Sequence, residues 1–331
     1  MTAKVAFCVV TWNNADILPV CLDSLLAQTG VPFDIYMIDN ASTDETRAIM
    51  ANYPSVRVTW SRINTGFARG NNILIHQALR DPDVSHVALI NSDVTLDTTW
   101  ASTLVRFADR RPNVGSLQGL TLDYFNHDVI DSMHIFVNPN LHAQQYGHGR
   151  QVLPLSSYYP RKVFGVNAAA CMYSRAMIEV IPDQRHGFFD ERFFMYYEDI
   201  DVSYRALVCG WDAWFVPSAV AYHMGSVTTK KRGSTYGLKM VGRNLPAAAF
   251  KNTPAPVMRR SAHRIAYGTA KLLMNIAKDN GALSAARFAV SMLHGLVRLP
   301  IYASSRRSIA AAKVIENDYL LRIFRQNGIL G

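Results

Sequence analysis

Over roughly its first 90 residues, the chain alternates short apolar runs with segments of helical periodicity. Uncharged apolar runs are typical of strands buried in a parallel sheet, and apolar side chains spaced by three and four residues are typical of amphipathic helices. The predicted strands are 5–11, 34–39, 56–60 and 86–90, and the predicted helices between them are 16–28, 42–50 and 66–79. This alternation predicts an α/β fold with a doubly wound sheet.

The rest of the chain has weaker patterning. Residues 120–163 are polar and aromatic, which predicts strands joined by long loops. Further strands are predicted at 163–174 and 214–222, helices at 175–181 and 199–210, a Pro-rich break at 246–256, and helices at 261–278 and 284–302. For 331 residues we expect one α/β domain over 1–250, with halves at about 1–115 and 116–250, and a helical C-terminal extension over 251–331.

The positive charge of the chain, +9 in total, lies in its C-terminal part. Residues 251–313 hold 11 Lys and Arg side chains against one acid, Asp279, while the remainder is nearly neutral. Basic amphipathic helices bind anionic membrane surfaces, so we expect these residues to contact a membrane. A soluble helical cap or an oligomer interface is the alternative. Nucleic-acid binding is not expected, because the helices lack a recognised motif.

The cysteines and the apolar segments indicate the cellular setting. Four scattered cysteines without a CxxC pair argue against a zinc site or a disulfide framework and fit a reducing cytoplasm. The first residues read as a strand rather than a signal peptide, and no window holds 18 uncharged apolar residues. We therefore expect a cytoplasmic protein without a single-pass membrane helix.

Two acids follow predicted strands directly, and ligands of doubly wound sheets bind at the carboxyl ends of strands. Asp39 follows the second strand and is suited to accept hydrogen bonds from a base or a ribose. Asp93, in the segment Asn91-Ser92-Asp93, is suited to a divalent cation that substrate phosphates also bind. For both acids the alternative is an ordinary turn at the end of a strand.

The segment NTGFARGNN, residues 64–72, combines two glycines with the start of a helix. Glycines permit close approach of a ligand to the backbone, and helix N-terminal amides attract anions, so Arg69 could add charge toward a diphosphate. The segment matches neither the GxGxxG pattern nor a P-loop. The alternative is a capped loop that simply leads into a helix.

Residues 188–211 place three acids behind a run of aromatic side chains. Asp201 and Arg205 are four residues apart on a predicted helix, which predicts an ion pair. Glu198 and Asp199 are then left for chemistry, and a carboxylate beside apolar walls makes a usable general base. The alternative is a surface helix capped by acids. His223, at the end of a later predicted strand, is structural unless the site binds a metal.

Taken in order, these segments resemble the family 2 glycosyltransferases with a GT-A fold, in particular their bacterial rhamnosyltransferase-like branch. The similarity spans about residues 4–226, with Trp12 where the family has Tyr and without the first acid of the D-x-D motif. The matching stretches are Val10-Thr11-Trp12-Asn13, Asp39-Asn40-Ala41-Ser42-Thr43-Asp44, residues 64–72, Asn91-Ser92-Asp93, Glu198-Asp199 and His223.

The resemblance implies transfer of a sugar from a nucleotide diphosphate donor to an acceptor hydroxyl, with inversion and with Mg²⁺ or Mn²⁺. It implies Asp199 as the base, Glu198 as a residue that orients a substrate, and Asp93 with His223 as metal ligands. The residues that it assigns to the nucleotide sugar are Thr11, Asp39, Asn64, Arg69, Ser92, Gly165 and Asn167.

The favoured donor is dTDP-rhamnose, and the expected acceptor is a glycan or a lipid-linked precursor of a cell-envelope polysaccharide. Together with the basic residues 251–313, this predicts a peripheral enzyme on the inner face of the plasma membrane. A homo-oligomer is left open.

Two rival classes are a nucleotidyltransferase and a non-catalytic glycan-binding or scaffold protein on the same fold. The first needs a basic Gly-rich loop after the first strand, where this chain has Trp12-Asn13-Asn14. The second is disfavoured because Asp93, Asp199 and His223 are all present.

Overall fold

The computed structural model describes residues 3–225 and 234–330, and within them a mixed sheet forms the centre of the molecule. The strands are β1 (Lys4–Thr11), β2 (Phe33–Asp39), β3 (Arg57–Trp60), β4 (Val84–Asn91), β5 (Val94–Leu96), β6 (Val114–Asp123), β7 (Ile130–Ser132), β8 (His134–Val137), β9 (Ala143–Tyr146), β10 (Arg161–Val163), β11 (Ala170–Ser174), β12 (Asp212–His223) and β13 (Ile329–Leu330).

Helices pack on both faces of this sheet and continue beyond it at the C-terminal end. They are α1 (Leu18–Leu26), α2 (Thr46–Ile49), α3 (Gly66–Ala78), α4 (Trp100–Ala108), α5 (Arg175–Val180), α6 (Glu198–Val208), α7 (Ser234–Asn252), α8 (Ala255–Asn280), α9 (Ala282–Val297), α10 (Ala303–Ala312) and α11 (Asn317–Arg325). Short 3₁₀ turns are Met50–Asn52, Leu155–Ser157, Glu191–Phe193 and Leu299–Tyr302.

The strand order is β13-β10-β12-β6-β11-β4-β1-β2-β3, and β8 pairs separately with β9. Strands β4, β1, β2 and β3 are parallel, whereas β11 lies antiparallel between β4 and β6. Alternate residues of β1 enter two different cores, since Val5 and Phe7 pack with α1 and α4, and Ala6 and Cys8 pack with α3. The predicted doubly wound α/β fold is confirmed.

Several predicted elements have different bounds in the structure, and for three of them the physical reason is clear. The strand predicted over 163–174 is two strands, because Asn167 turns the chain between them by accepting a hydrogen bond from the amide of Ala169 at 2.9 Å. The break predicted at 246–256 is narrower, since α7 continues through Pro246 to Asn252. The helix predicted over 284–302 ends at Val297 and gives way to a 3₁₀ turn that contains Pro300, which has no amide proton to donate.

The C-terminal helices share a core with the main domain. Side chains of α7, α8 and α11 pack with those of α6 and β8, and β13 pairs with β10 at the edge of the sheet. The boundary predicted at residue 251 falls within α7, one residue before that helix ends.

A buried cluster of charges joins α7 to α6 and to the loop before it. The ammonium nitrogen of Lys251 lies 2.8 Å from a carboxylate oxygen of Asp190, 3.0 Å from one of Asp201 and 3.3 Å from one of Asp183. Arg205 pairs with Asp201 at 2.9 Å, as predicted from their spacing. These side chains are at most 1% exposed. Lys251 therefore fixes the position of the acidic helix α6 from inside the protein.

Replacing Lys251 with Met should lower the free energy of unfolding by about 3–5 kcal/mol, because the three carboxylates would stay buried with less positive charge around them. Urea unfolding would measure this loss. The matched control is Lys271→Met on the exposed side of α8, which should change stability by no more than about 0.5 kcal/mol. Equal effects of the two substitutions would contradict the structural role given to Lys251.

Candidate active site

A cleft of about 230 Å³ opens at the carboxyl ends of β1 and β4. The parallel register places Thr11 of β1 opposite Asp39 of β2, and Val10 opposite Asn91 of β4, so three strands end together at this edge. The predicted site residues that line the cleft are Thr11, Asn64, Ser92, Asp93, Asn167, Glu198, Asp199 and His223. The cleft thus combines residues from both predicted halves of the main domain.

Asp93 and His223 meet because β5, which begins directly after Asp93, pairs with the end of β12 and sets Val94 opposite His223. The Nε2 atom of His223 lies 3.5 Å from Oδ1 of Asp93. Its Nδ1 atom lies 3.0 Å from Oδ2 of Asp131, on β7. Asp131 thereby fixes the orientation of the imidazole and directs Nε2 toward Asp93.

The electrostatics of this pair suit a cation. Burial alone lowers the pKa of His223, but the carboxylates of Asp131 and Asp93 outweigh burial and raise that pKa to about 10. Nε2 is buried without a hydrogen-bond partner, and it faces a carboxylate at the cleft. A carboxylate and an imidazole held by a second carboxylate are a donor set that divalent metals accept. Within residues 3–225 and 234–330, however, no group of three or more His, Cys, Asp or Glu side chains could hold a metal ion.

Glu198 and Asp199 occupy the first turn of α6 and line the same cleft. Burial raises the pKa of Asp199 to about 6, although its carboxylate accepts a hydrogen bond of 2.8 Å from the amide of Ile200. Burial, together with the charge of Asp199, raises the pKa of Glu198 well above its ordinary value. Both carboxyl groups therefore hold a proton more readily than an ordinary carboxyl group does, which suits groups that exchange protons with a substrate.

The segment that leads into α6 has an unusual backbone. Phe194, Tyr196 and Tyr197 have positive φ angles of 68°, 65° and 74°. Such conformations cost of order 1–3 kcal/mol each for residues with side chains and persist only where the surroundings impose them. Here the side-chain amide nitrogen of Asn244, on α7, donates to the backbone carbonyl groups of Phe193, Met195 and Tyr196 at 3.0, 2.9 and 2.8 Å. The acidic pair thus depends on a strained segment held by α7.

The segment at residues 64–72 organises this same region. The carbonyl of Phe194 accepts hydrogen bonds from the amides of Phe67 and Ala68, so two N-terminal amides of α3 already have a protein partner. Gly66 has φ +80°, and a Cβ atom added there would lie 2.6 Å from that carbonyl oxygen. Asn72 exchanges two hydrogen bonds with the backbone of Phe189, at 2.8 and 2.9 Å. These contacts give the segment a structural role in holding Phe194 and Phe189, while its residues Asn64 and Gly66 also line the cleft.

Three predicted binding residues do not line the cleft. Arg69 is 56% exposed and faces Glu191 at 3.8 Å, so its charge is directed toward a carboxylate outside the cleft. Gly165 instead permits close packing of α6, because an added Cβ atom would lie 2.1 Å from Oγ of Ser203. Asp39 is buried beside the cleft, where its carboxylate accepts a hydrogen bond from the amide of Ser42 at 3.2 Å.

Residues that support the site were missed by the sequence analysis. Asn40 joins the end of β2 to the segment at residues 64–72, because its side chain donates to the carbonyl of Gly66 at 3.0 Å and accepts from the amide of Thr65 at 2.8 Å. The position of Asn40 directly after Asp39, at the end of a predicted strand, could have marked it as a site residue. Asp131 lies in a region of weak patterning, and nothing in the sequence marked it. Asn244 follows the charged residue Arg243 in the helix, so no pattern in the sequence marked it.

A mixed α/β sheet whose edge brings an Asp–His pair and an acidic pair into one cleft agrees with the GT-A fold that the sequence resemblance implies. The family described as Glycosyl transferase family 2 matches residues 6–177, just over half of the chain. The chain belongs to this family.

Known proteins agree with this assignment. A protein of Mycobacterium tuberculosis named N-acetylglucosaminyl-diphospho-decaprenol L-rhamnosyltransferase is 28% identical over 252 residues, which cover 67% of this chain and 76% of that protein. The fold is similar to TarS of S. aureus, with a TM-score of 0.54 and 16% identity over 98% of this chain, which spans about half (53%) of the TarS chain. It is also similar to the mannosyltransferase PcManGT of Pyrobaculum calidifontis, solved with GDP-Man and Mn²⁺, with a TM-score of 0.52 and 18% identity over 94% of this chain and 86% of that one.

Gly66→Ala should destabilise the protein more than a glycine substitution at another position of positive φ. Gly149 is the matched control, since its φ is +72° and an added Cβ atom would meet nothing within 4 Å. We expect Gly149→Ala to cost about 1 kcal/mol from backbone strain, and Gly66→Ala about 1–3 kcal/mol more because its methyl group would collide with Phe194. Urea unfolding of both variants measures the difference. Equal losses would show that the contact with Phe194 does not constrain position 66.

Proposed function

We propose that the chain is an inverting, metal-dependent glycosyltransferase that moves a sugar from a nucleoside diphosphate to an acceptor hydroxyl. The observation that carries this proposal is the single cleft shared by the Asp93–His223 pair and the Glu198–Asp199 pair. Group transfer of this kind needs charge stabilisation at the leaving diphosphate and a base at the attacking hydroxyl, and the two pairs are suited to those separate tasks.

Asp199 is proposed as the general base. A base is most effective when its pKa is close to the working pH, and burial raises the pKa of Asp199 to about 6. Burial raises the pKa of Glu198, and we propose that this side chain hydrogen-bonds to a hydroxyl of the sugar or of the acceptor. The rival interpretation as a non-catalytic binding protein gives no reason for two adjacent carboxyl groups in a cleft whose pKa values are both raised.

Asp93 and His223 are proposed to hold a divalent cation, Mg²⁺ or Mn²⁺, with Asp131 as the residue that positions His223. Two protein ligands suffice for such a cation when phosphate oxygens and water complete its coordination. When bound, the cation supplies positive charge to the leaving diphosphate. The Mn²⁺ with which PcManGT was solved supports this choice. Thr11, Asn64, Ser92 and Asn167 are proposed to bind the nucleotide sugar, and Thr11 Oγ1 is buried there without a hydrogen-bond partner.

For the substrates we propose dTDP-rhamnose as donor and a lipid-linked glycan as acceptor, in synthesis of a cell-envelope polysaccharide. The name of the mycobacterial relative, a rhamnosyltransferase acting on a decaprenol diphosphate, supports both choices. A lipid-linked acceptor requires the enzyme to work at a membrane surface, and we propose the inner face of the plasma membrane. No helix in the described part of the chain has the length and apolar character needed to cross a bilayer.

Asp199→Asn should abolish turnover while donor binding is kept. We expect kcat to fall about 10²- to 10⁴-fold, because the amide cannot accept the proton of the acceptor hydroxyl. A panel of nucleotide sugars, with and without Mg²⁺ or Mn²⁺, would be tested by calorimetry for binding and by released nucleoside diphosphate for turnover. Glu179→Gln, on the exposed side of α5, is the matched control and should leave both quantities unchanged. Absence of binding to every nucleotide sugar would refute the proposed activity.

The rate should also depend on pH through Asp199. The base is active when ionised, so kcat/KM should be constant well above pH 6 and fall about tenfold per pH unit below it. The pH profile of released nucleoside diphosphate, recorded at saturating metal, measures the midpoint. If kcat/KM showed no fall between about pH 7 and pH 5, the base would be a group other than Asp199.

A further inference from the structure

Helix α9 exposes large apolar side chains along one side. Leu283, Val290, Leu293 and Val297 are spaced by seven, three and four residues, and they are 64%, 65%, 62% and 78% exposed. Ile301, in the 3₁₀ turn that follows, is 47% exposed and continues the row. We call these five residues the apolar ridge. A contiguous exposed row of this kind marks an interaction surface, whereas scattered apolar side chains do not.

The packing of α9 on α7 fixes the direction of the ridge. The inward side of α9 carries the small residues Ser284, Ser291 and Gly295 beside buried Phe288. A Cβ atom added at Gly295 would lie 2.3 Å from the carbonyl oxygen of Arg243 on α7, so the two helices approach as closely as glycine permits. Rotating α9 to bury the ridge would drive larger side chains into this contact. The exposure of the ridge therefore follows from the fold.

The helix next to the ridge carries exposed positive charge, which indicates what covers the ridge. Helix α8 packs against α9 and presents Tyr267, Lys271, Met274 and Lys278, spaced by four, three and four residues, as a second exposed row. Lysines beside aromatic and apolar side chains suit a bilayer interface, where the stem contacts lipid and the ammonium group reaches the headgroups. A second copy of the chain would bring like charges together, which disfavours self-association through this surface.

The ridge ends next to the segment that leads into the active-site cleft. The carbonyl of Ile301 accepts a hydrogen bond of 2.7 Å from the guanidinium group of Arg192. Residues 194–196, which line the cleft, follow Arg192 in the chain. A surface that covers the ridge would therefore lie beside the wall of the cleft that carries Glu198 and Asp199.

We propose that the apolar ridge inserts into the interface of an anionic lipid bilayer, with the lysines of α8 at the headgroups. This rests on the proposed function, in which the acceptor is lipid-linked, and extends it by naming the surface and by adding apolar insertion to the attraction between charges. It also narrows the expectation that the whole of residues 251–313 faces the membrane, because Lys251 is buried among carboxylates.

Flotation of the full chain with lipid vesicles tests the proposal. The probes are vesicles of phosphatidylcholine alone and vesicles with roughly one third phosphatidylglycerol. We expect binding to the anionic vesicles, and a loss of about tenfold or more in the double variant Leu293→Gln, Val297→Gln. The matched control is Val180→Gln with Val314→Gln, which removes two similarly exposed valines elsewhere and should change binding less than about twofold.

Two outcomes would overturn the proposal. In one, wild-type protein fails to bind anionic vesicles, or the ridge variant binds them as well as wild type does. In the other, light scattering shows a wild-type dimer that the ridge variant converts to a monomer, which would assign the ridge to a second copy. Circular dichroism checks that each variant is folded, and calorimetric binding of a soluble nucleotide sugar tests the transferase separately. A chain that binds vesicles but no nucleotide sugar would refute the proposed activity and leave the ridge proposal standing.

Discussion

The structure depends on the contact between one buried lysine and three buried carboxylates. Lys251 holds α7 against α6, and α7 carries Asn244, which holds the strained segment before α6 through three hydrogen bonds. The acidic pair at the start of α6 is therefore positioned by residues that lie outside the family match at 6–177. Buried ion pairs contribute little net stability on average, so the role of this cluster is to specify one arrangement of the helices.

Two walls of the cleft are built by different means. Pairing of β5 with β12 brings Asp93 and His223 together, although they are 130 residues apart in the chain, and sheet hydrogen bonds fix this wall rigidly. The wall that carries Glu198 and Asp199 depends on side chains that hold an irregular backbone. A donor and an acceptor that bind between such walls would meet one preformed surface and one whose geometry depends on α7.

Much of the fold could be predicted from the sequence because its signals are local. The first four strands and the helices between them follow from apolar periodicity, and the strand-end position of Asp93 followed from them. The features that the sequence did not predict depend on contacts between residues far apart in the chain. Asp131 could not be paired with His223 before the sheet order was known, and the contact between Gly66 and Phe194, which are far apart in the chain, had no local signal. Pro246 predicted a break, but the packing of α7 outweighs the roughly 3 kcal/mol cost of an internal proline.

The left-handed backbone at Phe194, Tyr196 and Tyr197 limits how this wall of the cleft can evolve. Glycine, asparagine and aspartate adopt that conformation at the lowest cost, and β-branched residues are the worst suited to it. The first three would remove the aromatic surface beside Asp199, whose burial raises its pKa. Few single substitutions are therefore acceptable at these three positions. Substitutions that change the acceptor should accumulate instead at those lining residues whose backbone φ angle is negative.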